Sequence, residues 1–256
     1  MTTTITATAE PDASPPRVRL GITTDKSALN VWRVAQDGSR VAVRTYDGGP
    51  LAVTGTSTVL YDAEVPQGDL FTYTSDDTAT TASAAVSVNS GRVWLVHPGV
   101  PTRSMPIELR SASEREAAAS QSVRWPLGRQ FPIVANDGVR KAATYTLVVE
   151  TVGPNQVQAL STLLADLSPL LLNVPPDWGW LEYDTEYVAV GDMRLTNPGG
   201  YALFQMREWS LPCSVTSRPA GGTQAFNTYG VSQALYPTYA ARKAAAATYG
   251  QAYDPK

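Results

Sequence analysis

The sequence predicts a mainly β protein of two domains in series, an antiparallel β-sandwich and then a β-rich α+β domain with one amphipathic helix, with an extended arm at each end. Three observations predict it. Over residues 17–97, short apolar-alternating runs follow one another with turn residues between them. Over residues 107–218, a single stripe of helical period lies between strand-like runs. Residues 1–16 and 219–256 carry neither pattern.

Residues 1–16 are rich in Thr, Ala and Pro, and Pro11, Pro15 and Pro16 discourage regular structure, so they read as the N-terminal arm. Arg17–Thr23 alternates as a strand, with Val18, Leu20 and Ile22 on one side. Val31–Ala35 and Val41–Thr45 follow, separated by a turn whose Asp37-Gly38 pair is a strong hairpin signal. Asp47-Gly48-Gly49-Pro50 turns the chain again. Val59–Val65, Leu70–Ser75, Ala84–Ser90 and Val93–Val96 complete the sandwich. Pro98, Gly99, Pro101 and Pro106 then make residues 98–106 a stiff, non-helical connector.

In the second domain, Ile107-Glu108-Leu109 reads as a strand. Ser113 with Glu116 has capping-box spacing, which fits one helical turn or an extended loop equally well. Ala143, Tyr145, Leu147 and Val149 alternate as a strand until Gly153-Pro154-Asn155 breaks it. Val157, Leu160, Leu163, Leu164 and Leu167 then share one face of a helix over about residues 155–168, ended near Pro169. Pro175-Pro176-Asp177 resets the chain, and Trp178–Val190 and Tyr201–Leu211 are strand-like. One helical stripe among strands is most simply laid across a mostly antiparallel sheet.

After Pro219 the chain becomes rich in Tyr and Ala, and Thr228-Tyr229-Gly230 recurs as Thr248-Tyr249-Gly250. Ala240–Ala247 has high helix propensity but is too short to hold a helix alone in water. Phe226, Tyr229, Tyr236, Tyr239, Tyr249 and Tyr253 make the segment too aromatic for a plain disordered tail and are the candidate interface residues of a C-terminal arm that orders against a neighbour. Packing on its own domain, or staying mobile, is the alternative.

Composition narrows the function. With 256 residues, 43% hydrophobic and 17% charged, the chain is a folded protein poorer in charge than the roughly 25% usual for globular domains. Low charge with 12 Tyr and 6 Trp suggests a surface covered by other subunits. A net charge of −3 without Lys/Arg runs gives no support to nucleic-acid binding. The single cysteine, Cys213, rules out an intramolecular disulfide and reads as a small buried side chain, so a reducing cytoplasm is an acceptable place of synthesis. No apolar run approaches the ~18 residues of a membrane span, and the N-terminus lacks the marks of a signal peptide.

Catalytic signals are sparse. His97 is the only histidine, placed in the connector and read as a surface residue; no Gly-x-Ser-x-Gly elbow accompanies it. Glu182, Asp184 and Glu186 share one strand face, which suits Ca²⁺, an acid and base pair for glycoside cleavage, or the solvated face of an edge strand. The last is preferred. Asp76-Asp77 reads as loop, and Gly199-Gly200 and Gly221-Gly222 as turns, since none has the setting of a phosphate cradle. Trp32, Trp94, Trp125, Trp178, Trp180 and Trp209 are read mostly as core or interface anchors. The sequence thus predicts no enzyme, cofactor or metal.

Trp32-Arg33-Val34 before the Asp37-Gly38 turn, the run from Val59 to Pro66, Gly68, and Phe71-Thr72-Tyr73-Thr74 together resemble the fibronectin-III-like first domain of minor tail proteins from actinobacterial siphophages. Val93-Trp94-Leu95-Val96-His97-Pro98 is similar to the junction in those proteins. Gly128-Arg129, Pro132 and the later order of strand, leucine helix, Pro-rich turn, Val188–Asp192 and a strand into Leu211-Pro212 are similar to the second domain of distal-tail-like proteins. The resemblance spans most of residues 18–218 and rests on the order of several weak motifs. It implies a virion protein assembled in the host cytoplasm, a hub or ring of six copies at the tail tip that meets the tail tube and other tip or receptor-binding proteins. A carbohydrate-binding module for the host cell wall is the alternative, and a hydrolase a distant third.

Overall fold

The computed structural model describes residues 2–45, 49–53, 56–124, 133–178, 185–199 and 205–219, with residues 119–124 and 133–140 described by their backbone. Alternation decides the first β unit, and it begins earlier than expected. Thr4–Glu10 is strand β1, paired antiparallel with β2 (Arg17–Thr23) from Thr4↔Thr23 to Glu10↔Arg17. The N-terminal arm is therefore corrected to a strand. Ile5, Ala7 and Ala9 face the core at period two, and Pro11, Pro15 and Pro16 fall in the turn and at the following strand's start.

The remaining strands of this unit are β3 (Ala28–Leu29), β4 (Val31–Ala35), β5 (Arg40–Ala42), β6 (Leu51–Ala52), β7 (Ser57–Asp62) and β8 (Phe71–Ser75). They form two three-stranded sheets, ordered β1-β2-β7 and β5-β4-β8, plus the short pair β3-β6. Ile5, Leu20, Ile22 and Leu60 of the first sheet share one core with Val31 and Tyr73 of the second. The Asp37-Gly38 turn joins β4 to β5, with Gly38 at φ +81°. Residues 84–90 pack Val86 and Val88 against this core but make a single ladder pairing, the Val86↔Phe71 bridge, with the Gly68 N–H donated to the Val88 carbonyl, so no continuous strand forms there.

The second unit is a closed antiparallel barrel. Its strands are β9 (Val93–Val96), β10 (Met105–Ala112), β13 (Thr144–Val152), β14 (Leu170–Asn173), β15 (Glu186–Val190) and β17 (Met206–Thr216); β11 (Ala119–Arg124), β12 (Ile133–Arg140) and β16 (Arg194–Thr196) lie outside the ring. Around the barrel the order is β13-β10-β9-β14-β15-β17, and β17 pairs back onto β13 from Val152↔Met206 to Thr144↔Ser214. On its other edge β17 holds β16 and then β15. Closure gives each of the six strands a neighbour on both sides. Val93, Leu95, Ile107, Leu147, Leu172 and Leu211 fill the interior, as alternation requires.

Helix α1 (Gly153–Leu164) connects β13 to β14. Pro154 suits its first turn, and Gln156 accepts the Val152 N–H through its side-chain oxygen at 2.8 Å. Leu160, Leu163 and Leu164 join the barrel core and cover one end of it. Leu167, expected in the same stripe, lies past the helix at φ +54° and is 76% exposed.

Four further expectations are revised. Val93–Val96, assigned to the sandwich, belongs to the barrel, and of the expected connector 98–106, residues 98–104 are the turn joining β9 to β10, with a 3-10 turn at Pro101–Arg103, while Met105 and Pro106 already pair within β10. Both faces of β9 are buried, the inner by the barrel core and the outer beneath the first unit, so its composition alone cannot say which sheet it joins. Of the two readings left open at Ser113, the extended one holds: its hydroxyl accepts the Thr146 N–H, and Glu116 bridges to Thr144. Trp178 closes a 3-10 turn from Pro176 instead of opening a strand, which starts at Glu186. The final strand runs Met206–Thr216, later than Tyr201–Leu211.

Candidate functional site

The two β units meet along a polar seam, and the sequence dictates its chemistry. Leu60, Asp62 and Glu64 occupy alternate positions, so inward-facing Leu60 brings two carboxylates with it. Buried carboxylates need cations or donors. Arg33 donates to Asp62 at 2.8 Å, and Tyr73 donates its hydroxyl to the same oxygen at 3.1 Å. Glu64, 4% exposed, accepts from Arg44 on one oxygen and from Arg218 at 2.7 Å and Tyr187 at 2.6 Å on the other. Burial pushes the Glu64 carboxyl up, but Arg44, Arg218 and the Tyr187 hydroxyl outweigh it and hold the pKa below the usual range. Burial and the neighbouring Glu64 charge push the Tyr187 hydroxyl up.

Below this clamp, Asn173 of β14 is fully buried. Its amide donates to the Val65 carbonyl at 2.9 Å, and its side-chain oxygen accepts the Gln67 N–H and the Thr185 hydroxyl. Gly68, at φ +86°, lies so close to Pro176 that an added Cβ would sit 2.4 Å from its Cγ. Trp94, Val96, Leu171 and Tyr187 form the apolar part, on the outer wall of the barrel. Pro219, the last described residue, accepts from Arg44 at 2.9 Å, so the chain toward residue 220 departs from this seam. Beside it lies a cavity of about 320 Å³ bounded by Arg44, Arg218, Val31, Val43 and Leu51.

The second candidate surface is the β11–β12 ribbon, inserted between β10 and β13. Its strands pair with each other and with no other described strand. The Lys141 N–H donates to the Ala118 carbonyl at 2.9 Å, closing its base. A groove of about 640 Å³ runs beside that base, between Ser113, Glu116, Thr144, Tyr145 and Ser214.

The interface candidates Phe226, Tyr229, Tyr236, Tyr239, Tyr249 and Tyr253 lie outside the described residues, as do Glu182 and Asp184. Glu186, the third member of that row, is engaged by Arg115 at 2.7 Å and by the Tyr145 hydroxyl at 2.7 Å, which corrects the picture of a solvated face at this position. Among the described residues no group of His, Cys, Asp and Glu has the arrangement of a metal site. Asp76 and Asp77, read as plain loop residues, are acceptors: Asp76 takes the Asn30 backbone and amide N–H groups, and Asp77 the Thr3 hydroxyl.

His97 is not a surface residue. It is 4% exposed, and its Nδ1 accepts the Gly99 and Val100 N–H groups, which puts the ring hydrogen on Nε2, facing Asp166 at 2.9 Å. It fastens the end of α1 to the β9–β10 turn. Burial pushes the Asp166 carboxyl up, but the His97 contact, the Ser168 N–H and Arg103 hold it below the usual range. Cys213 is buried, with its thiol pushed up to about 12 by burial. Trp94 and Trp209 are buried, Trp32 and Trp178 half-buried, and Trp125 and Trp180 lie outside the described residues.

No protein-family model matches the chain, and no curated protein matches it in sequence. No helix of the described residues is long and apolar enough to cross a membrane.

Proposed function

We propose that this chain is a structural minor tail protein at the distal tip of a siphophage tail, joining its own copies into a ring or hub between the tail tube and the tip or receptor-binding proteins. The observation that carries the reading is the β11–β12 ribbon, which pairs only with itself among the described strands. An isolated two-stranded ribbon is marginal in water, so a neighbouring surface is needed to complete it. The clamped seam supports the same reading, because it makes two β units into one stiff body suited to transmit load. Strand orders β1-β2-β7 and β5-β4-β8 around one core support a fibronectin-III-like sandwich for the first unit, in keeping with the resemblance of its sequence.

The mechanism is burial of surface between copies, with no bond made or broken. A closed ring needs heterologous contacts whose rotation closes. The Tyr-rich segment after Pro219 supplies a further contact, and six copies is the number the resemblance implies. Mass photometry and negative-stain images of the full-length protein test this. Rings at a fixed multiple of the 27.4 kDa chain support it. A monomer at every concentration that binds cell-wall glycan would replace it with the carbohydrate-binding alternative.

A further inference from the structure

Among the described residues, the seam sets three arginines, Arg33, Arg44 and Arg218, against two carboxylates, Asp62 and Glu64. Arg44 and Arg218 both donate to the single carboxylate of Glu64, and each gives one further hydrogen bond, to the Pro219 and Ala42 carbonyls. A guanidinium has five N–H donors, so each arginine has donors to spare. Their side chains are only 12% and 27% exposed, and both border the 320 Å³ cavity. Among the described residues bordering that cavity no acidic residue appears: the others are Asn30, Val31, Ala42, Val43, Thr45, Gly49, Leu51 and Pro219. The Thr45 hydroxyl is already committed to the Gly49 carbonyl, and the Asn30 amide to Asp76.

We infer that this cavity is an oxyanion site: Arg44 and Arg218 bind a carboxylate or phosphate group carried on a short apolar stem. Two partly desolvated guanidinium groups facing one carboxylate leave a unit of charge that favours an anion over water. Val31, Val43 and Leu51 give the rest of the cavity an apolar wall, which suits a stem rather than a free ion alone. Two sources offer the same chemistry, a free small anion and an acidic side chain of the segment that follows Pro219. Asp254 is the one acidic residue of 220–256, the segment that begins at the cavity's rim.

The test is calorimetric titration of the full-length protein with inorganic phosphate, acetate and benzoate at constant ionic strength. Saturable binding is expected, tighter for benzoate than for acetate, and weakened at least about tenfold in Arg218→Gln. Because that change also loosens the Glu64 clamp, Leu51→Trp provides a second variant, filling the cavity and abolishing binding while both arginines stay. Binding by the unaltered protein identifies a free anion as the ligand. Binding only after Asp254→Asn identifies the Asp254 carboxylate as the occupant. Absence of saturable binding in both proteins overturns the inference.

Discussion

Gln67 and Asn173 bind each other twice across the seam: the Gln67 N–H reaches the Asn173 side-chain oxygen, and the Gln67 amide reaches the Asn173 backbone carbonyl, both at 3.2 Å. Neither residue has more than 4% of its surface exposed. Replacing Asn173 with Ala strips partners from the Val65 carbonyl, the Gln67 N–H and the Thr185 hydroxyl at once. The expected loss is about 2–4 kcal/mol, since each buried group left unpaired costs about 1–3 kcal/mol. Guanidinium unfolding followed by tryptophan fluorescence measures it, and a loss under about 0.5 kcal/mol would contradict a seam whose buried polar groups depend on Asn173.

Gly68 and Gly38 separate backbone strain from crowding. Both have positive φ, but a Cβ at Gly38 meets nothing within 4 Å, whereas one at Gly68 lies 2.4 Å from Pro176. Gly38→Ala is expected to cost about 1–2 kcal/mol, the left-handed penalty alone. Gly68→Ala should cost more by at least about 1 kcal/mol, because the Pro176 ring, tied to its own backbone, must move out of the way. Equal values in matched denaturant curves would place the seam apart in solution.

Glu64 makes the protein sensitive to acid. Its folded pKa lies below the ordinary 4.5, so the stability it contributes is fully present above that value and is lost as pH falls through the lower folded one. Asp166, held below its ordinary 3.8, acts in the same direction. Unfolding midpoints should therefore fall below about pH 4.5. Glu64→Gln should flatten part of that dependence while lowering stability at neutral pH by about 3–5 kcal/mol, because two arginines lose their counter-charge.

Much of this architecture was legible in the sequence, and the failures have physical causes. Alternation located β2, β4, β7, β8 and β13, and the leucine stripe located α1, because each has one buried face. β1 was missed because Thr and Ala dilute its pattern, leaving Ile5 as its one large core residue. β9 was given to the wrong unit because Val-Trp-Leu-Val is buried on both faces and so carries no directional signal. The clamp does have a signal in the sequence: Asp62 and Glu64 alternate with Leu60, and inward carboxylates require inward arginines, but no spacing says which arginines answer them. Nothing local marks His97 as buried, since its partner Asp166 is 69 residues away.

Cys213 should be inert in the folded protein. With the thiol pushed up to about 12 and buried inside the barrel, almost none is thiolate at pH 8. Iodoacetamide is expected to label it only after unfolding, which makes labelling rate a direct measure of barrel opening. Rapid labelling under native conditions would mean that β17 leaves the barrel readily.

The ribbon can be removed without touching the barrel. Ala118 and Lys141 are hydrogen-bonded, so a two-residue Asn-Gly turn can replace residues 119–140. The shortened protein is expected to unfold at nearly the same denaturant concentration but to lose self-association on mass photometry. Rings that survive the excision would move the assembly contact elsewhere, with deletion of 220–256 as the next variant.

Ring closure by β17 also sets a timetable for synthesis. The first unit can collapse as soon as Val88 has left the ribosome, but β13 and β15 wait for residues 206–216 to arrive. Throughout that interval the nascent chain carries two bare strand margins, each able to recruit a stranger. A stop codon anywhere between them and Thr216 would therefore yield an insoluble fragment rather than a smaller working protein.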